Sequence, residues 1–243
     1  MPELRLLAVD ASTPRTAVAI GRVDLSAGVA ERLGGFDVLD GANQTSAWLV
    51  DRIVDALRGA AIAPTELDAI ACGVGPGTFT GTRVAIATCK GLALGARAAL
   101  YPLDTLAAIA ASQPDHGRLL AVLDARRGEH YAAEFAAEPA PGRPGGRSLV
   151  RLRGPRVAPL AALGDLAAGA LLVGTGLDRR TGEPGVVALD GVSAAGLWHA
   201  ALAALSGPSI AARDLDALYL RGSYAELGVN QPKRPFVRSP FLD

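Results

Sequence analysis

Very little in this chain could hold a metal ion or attack a substrate. It has three histidines, His116, His130 and His199, and none belongs to an HExxH motif or an i, i+4 pair. A zinc or iron centre built on such pairs is therefore not expected. The two cysteines, Cys72 and Cys89, lie in apolar stretches without CxxC spacing, which suits buried packing better than metal ligation or a disulfide. There is no G-x-S-x-G elbow, and neither cysteine has an obvious histidine partner in sequence, so catalysis by this chain alone is unsupported. Charge of one sign is missing too. Lys plus Arg and Asp plus Glu are 24 each, whereas a chain that gripped RNA by itself would be basic. No apolar run reaches membrane-spanning length, and Met1 to Arg5 lacks the apolar core of a signal peptide, so a cytosolic protein with no membrane partner is expected. Aromatics are scarce, at 5%.

What the chain does have is alanine, glycine and a duplicated pattern. Half of its 243 residues are hydrophobic, enough to build a sizeable core in one large domain or two small ones. Leu6-Leu-Ala-Val-Asp10, a short turn and Thr16-Ala-Val-Ala-Ile20 describe a strand, an acidic turn and a second strand. Leu119-Leu-Ala-Val-Leu-Asp124, Arg-Arg-Gly and Glu129 to Phe135 say the same again. Each half later has an apolar strand ending in glycines, at Gly73-Val-Gly75 and Gly174-Thr-Gly176. The patterns predict strands near 4–10, 16–23, 29–38, 68–73 and 98–102, with helices at 44–59, 80–96 and 104–112. In the second half they predict strands near 118–124, 129–137, 148–153 and 170–174, with helices at 159–167 and 193–206. The chain thus divides into 1–112, 113–227 and a Pro-rich tail, 228–243, expected to be extended or loosely docked.

The most informative segment is Cys72-Gly-Val-Gly-Pro-Gly-Thr-Phe-Thr-Gly-Thr-Arg83. A strand that ends in glycines and feeds a helix exposes several backbone N–H groups in a small space, which suits a phosphate. Thr78 or Thr80 can cap the helix that follows. The same glycines would also serve merely to start the helix close to the sheet, and the residues alone leave both readings open.

GPGTFTGTR, with Lys90-Gly-Leu-Ala-Leu-Gly95 beyond it, resembles the signature of the TsaB (YeaZ) family. Leu6 to Ser12, Asp124-Ala-Arg-Arg-Gly-Glu-His-Tyr131, Val173-Gly-Thr-Gly176 and Leu218-Tyr-Leu-Arg221 resemble its other motifs, in the right order. The resemblance implies an α/β protein of the actin-like (ASKHA, ribonuclease H-like) class, with two similar lobes, each a mixed sheet with flanking helices. It implies a non-catalytic relative of TsaD, not itself an enzyme, that pairs with TsaD while threonylcarbamoyl is transferred to a tRNA adenosine beside the anticodon. TsaE, an ATPase, would join the complex, and tRNA would be reached through it. A homodimer on the same face is implied when TsaD is absent. Where TsaD carries its metal-binding H-x-x-x-H, this chain has Thr105 and Ile109, so no metal is expected.

Candidate residues follow. The resemblance to phosphotransferases of the superfamily suggests phosphate contact at Asp10, Ser12, Gly75, Gly77 and Thr78, although Asp10 also fits a simple turn that accepts backbone N–H bonds. No cofactor is required on the main reading. ATP or ADP at this turn belongs to the alternative, an ATP-dependent small-molecule kinase or ATPase. Asp124, beside Arg126, Arg127 and Glu129, fits a salt-bridged turn. The helix at 44–59 carries Trp48, Leu49, Val50, Ile53, Val54, Ala56 and Leu57, an arc wider than one core needs. The helix at 80–96 carries a stripe of small residues, from Gly81 to Gly95. The implied partner interface is Trp48, Leu49, Ile53, Arg83, Ala87, Lys90 and Leu94. Many family members have a His before the first of these helices, where Asn43 to Ser46 here look like capping. Lys233, Arg234 and Arg238 in the tail offer only a weak phosphate footprint for direct tRNA contact.

Overall fold

A computed structural model of the chain describes residues 3–39, 45–113, 115–144, 146–164 and 169–220. The first repeat begins with β1 (Leu4–Asp10), β2 (Arg15–Asp24) and β3 (Val29–Leu39). Helix α1 (Thr45–Gly59), β4 (Ala69–Gly73), α2 (Phe79–Ala96), β5 (Ala99–Leu103) and α3 (Thr105–Ala110) follow. Its sheet runs β3-β2-β1-β4-β5. The first three strands are antiparallel, whereas β4 and β5 lie parallel to β1 and to each other.

The second repeat has β6 (Arg118–Asp124), β7 (Glu129–Pro139), β8 (Arg147–Pro159), β9 (Leu171–Gly174), β10 (Val186–Ala188) and α4 (Ala194–Ala204). Its sheet, β10-β9-β6-β7-β8, has the same order and polarity read from the other edge. This is the two-lobed, actin-like α/β architecture that the duplicated pattern implied.

Side chains alternate across each strand, and here both faces find cover. Leu6 and Ala8 of β1 face inward, Leu7 and Val9 outward. The inner faces of both sheets share one core, in which α3 and α4 supply Leu106, Ile109, Leu197 and Trp198 between the lobes. The outer face of the first sheet is covered by α1 and α2 through Leu49, Ile53 and Leu57, and through Ala85, Ile86 and Cys89. Polar ties add to the shared core. Arg15 reaches both Asp37 (2.6 Å) and Asp190 (3.2 Å), and the Val192 and Ala194 amides donate to Thr13 Oγ1 and Asp37 Oδ2.

Three expectations need correction. Strand β8 runs past 153 because Gly154-Pro155 falls at a register shift of an edge strand, where the missing proline N–H breaks no ladder. Of the helix expected at 159–167, Leu160–Leu163 form a 3-10 turn, and 165–168 lie outside the described residues. Residues 210–218, assigned to the second lobe, pack on the first. The Ile210 amide donates to Leu100 O and the Leu218 amide to Val74 O, while Leu215 is fully buried. The tail 228–243, with Lys233, Arg234 and Arg238, lies outside the described residues, as do Asn43, Gln44 and Arg221.

Candidate functional site

The glycine turn after β4 is pinned to the turn after β1. The Thr78 amide donates to Ser12 O (2.7 Å), and a side chain at Gly77 would place its Cβ 2.0 Å from that same oxygen. Only glycine allows this approach. Thr78 is the N-cap of α2, but its side chain makes no capping bond, and Thr80 is exposed, so the expected hydroxyl cap is absent at this helix start.

Asp10 is turned inward. It is 0% exposed, and its carboxylate accepts the Ser12 amide (2.8 Å) and the Thr105 hydroxyl (2.7 Å). The Gly73 backbone packs so close that a Cβ there would lie 2.1 Å from Asp10 Oδ2. The carboxylate therefore holds a turn together, and phosphate contact at Asp10 is corrected to an internal role. Gly75 is likewise covered, with Leu218 O against it. Thr105, aligned by the resemblance with a metal-binding histidine of TsaD, is committed to Asp10, and Ile109 is buried in the inter-lobe core.

Burial raises the Asp10 pKa from 3.8 to about 6, against the opposing pull of the Thr105 and Ser12 hydrogen bonds. Between those values the folded chain binds more protons here than the unfolded one. The contribution of Asp10 to stability thus improves as pH falls from about 6 toward 3.8, by up to about 3 kcal/mol. His199 works in the opposite direction, since burial lowers its pKa. Asp10→Asn is therefore expected to be stabilised less than wild type on moving from pH 7.5 to pH 5, as read from urea midpoints. An equal change in both proteins would contradict this role for Asp10.

Ser12, Gly77 and Thr78 do line an open cleft of about 230 Å³ between the lobes, opposite Asp124, Arg126, Thr175 and Gly176. Ser12 Oγ is buried without a hydrogen-bond partner. The cleft also holds Asp178 and Asp190. Asp190 is paired with Arg15, which leaves Asp124 and Asp178 facing a ligand against one guanidinium and disfavours an uncompensated polyphosphate. Asp124 belongs to its own turn, accepting the Arg126 amide at 2.7 Å.

The second candidate surface is the outer side of α1 and α2. Leu49 and Ile53 were expected at a partner interface, but they are buried under α1 against the chain's own sheet. The wide apolar arc divides: positions 49, 53 and 57 take the core, while Val50 remains 48% exposed. Trp48 is half-buried against Phe36, with ring centroids 6.2 Å apart. On α2, Arg83 and Ala87 are exposed, Lys90 is half-buried, and Leu94 is 72% exposed. Gly91 and Gly95 face open space, whereas Gly81 packs on the Ala11 backbone.

One feature of this face ties Arg83 to two rings that the expected interface did not include. Tyr219, at the end of the returning segment, stacks on Phe79 (5.8 Å, 29°), and its hydroxyl accepts Arg83 Nε at 2.9 Å. The i, i+4 pairs Phe79/Arg83 and Trp48/Arg52 were the available signal.

Comparison with known proteins bears on the family and the fold. Residues 26–139 match the family model of TsaD, the tRNA N6-adenosine threonylcarbamoyltransferase. The tRNA threonylcarbamoyladenosine biosynthesis protein TsaB of Escherichia coli K12 is 32% identical over 138 residues, covering 54% of this chain and 55% of that protein. TsaB of Haemophilus influenzae is 31% identical over 144 residues, 57% of this chain and 56% of that one. The solved structure of YeaZ from Pseudomonas aeruginosa superposes with a TM-score of 0.72 at 26% identity, covering 89% of this chain and all of that one. The chain is similar to proteins of the TsaB (YeaZ) family in sequence and in fold. Its matches to the curated TsaB proteins span just over half of their length. The YeaZ superposition takes in nearly all of this chain, so the two-lobed body is common to both.

Proposed function

We propose that this chain is a non-catalytic subunit in tRNA threonylcarbamoyladenosine biosynthesis. It docks through α1 and α2 on a TsaD-type transferase, a TsaE-type ATPase joins them, and tRNA is reached through the complex in the cytoplasm. Without that partner, two copies of the chain pair on the same face. The reading rests above all on the outer side of α2, where Leu94 is 72% exposed beside Ala87, Gly91 and Gly95. A knob flanked by small residues admits a second helix at close range. The packed inter-lobe core gives that face a rigid support. The names of the E. coli and H. influenzae relatives supply the pathway.

An ATP-dependent small-molecule kinase or ATPase is the competing reading, favoured by Ser12, Gly77 and Thr78 lining the cleft. Reconstituted threonylcarbamoyl transfer to tRNA separates the two. On the scaffold reading the transfer requires the chain, Ser12→Ala leaves its rate unchanged, and the isolated chain does not turn over ATP. ATP turnover by the isolated chain that Ser12→Ala removes would favour the kinase.

A further inference from the structure

The partner face carries the same device twice. On α1, Arg52 lies over Trp48 (5.2 Å to the ring centroid) and Phe36 (6.0 Å). On α2, Arg83 lies over Phe79 (3.9 Å) and Tyr219 (5.9 Å). In each helix the arginine sits four residues after its own aromatic, so the ring holds the guanidinium plane from one helical turn before it. Both arginines are exposed, and among the described residues no carboxylate pairs with either one. On α1 the nearby Asp55 is occupied by Arg58 at 2.8 Å, and α2 contains no acidic residue at all. Thr45 and Ser46 share a small pocket with Thr78 and Thr80, so the helix starts lie side by side. Arg83 therefore sits in the second turn of α2, and Arg52 midway along α1.

An exposed arginine is normally a flexible, solvated charge with little binding value until it is ordered. Here that ordering is already made by rings, and for Arg83 also by the hydrogen bond to Tyr219. That bond uses Nε and leaves both terminal nitrogens, the ones that form a bidentate fork to a carboxylate, facing solvent. The rest of the two helices' outer sides carries Val50, Ala87, Gly91 and Leu94, with Lys90 and Arg58 as further cations and Asp51 and Asp55 as carboxylates. Such a face, with few cations and carboxylates among them, suits a protein helix carrying acidic side chains better than an RNA backbone, which needs a denser run of cations.

We propose that Arg52 and Arg83 are two pre-ordered carboxylate receptors that set the register of an acidic protein partner on α1 and α2, with Tyr219 as the positioning residue of Arg83. This deepens the docking reading above and rests on it. The test is the dissociation constant for the TsaD-type partner, measured against salt for wild type, Arg52→Lys/Arg83→Lys, Tyr219→Phe and Arg83→Lys/Tyr219→Phe, with melting temperatures as a check on folding. Lysine keeps the charge but loses the fork. The double lysine variant is expected to bind at least about tenfold more weakly. Tyr219→Phe alone is expected to cost about threefold, and to add nothing once Arg83 is lysine. If wild type binds and the double lysine variant binds equally well, the inference fails while docking on α1 and α2 stands. If wild type forms no complex, both fail. Loss of affinity for tRNA alone, with protein binding unchanged, would overturn the inference in favour of an RNA surface.

Discussion

Ile53→Asp is expected to leave no folded chain to assay. Ile53 is fully buried between Leu49 and Leu57 on the inner side of α1, in the cluster built on Leu7, Val9, Val18 and Ile70 of the first sheet. A carboxylate there would have no cation within the cluster and no water, and burying an unpaired charge costs more than most single substitutions. The loss, on the order of 4 kcal/mol or more, approaches the whole stability of many domains. Circular dichroism and a urea titration would record it as loss of the cooperative transition. A soluble Ile53→Asp protein with a near-normal transition would mean that α1 is turned the other way, with 49, 53 and 57 outward.

Leu94→Asp is expected to do the opposite: to fold normally and fail to bind. Leu94 is 72% exposed, so the free chain should keep its stability within about 0.5 kcal/mol. In a complex packed on α2, the same carboxylate would be buried opposite apolar side chains. A penalty of about 3 kcal/mol, roughly a hundredfold in the dissociation constant, is the expected scale. Isothermal calorimetry against the TsaD-type partner would show it. Binding unchanged by Leu94→Asp would move the interface off α2.

The contrast between these two positions marks what could be read from the sequence. Strands β1 to β7 and β9, helices α1 to α4 and the duplicated lobes follow apolar runs bounded by glycine and acidic turns, so local pattern sufficed. The arc on α1 was visible as too wide, yet width alone does not say which side meets the sheet. Only packing assigns 49, 53 and 57 inward and leaves Val50 outside. Strand β10 has three half-buried residues and no pattern of its own, and it forms along the open side of β9. Asp10 looked like a ligand contact because it ends a strand beside Ser12, whereas one of its two partners, the Thr105 hydroxyl, is 95 residues away. The tie between Tyr219 and Arg83 spans 136 residues, a distance at which no spacing rule operates.

The central claim is that the chain works by being held against a TsaD-type subunit. The most direct measurement is size-exclusion chromatography with light scattering, on an equimolar mixture of the wild-type chain and the TsaD-type protein from the same organism. The account predicts one species with the summed mass of both chains or a simple multiple of it. Separate elution of the two proteins, even with tRNA and nucleotide added, would contradict it.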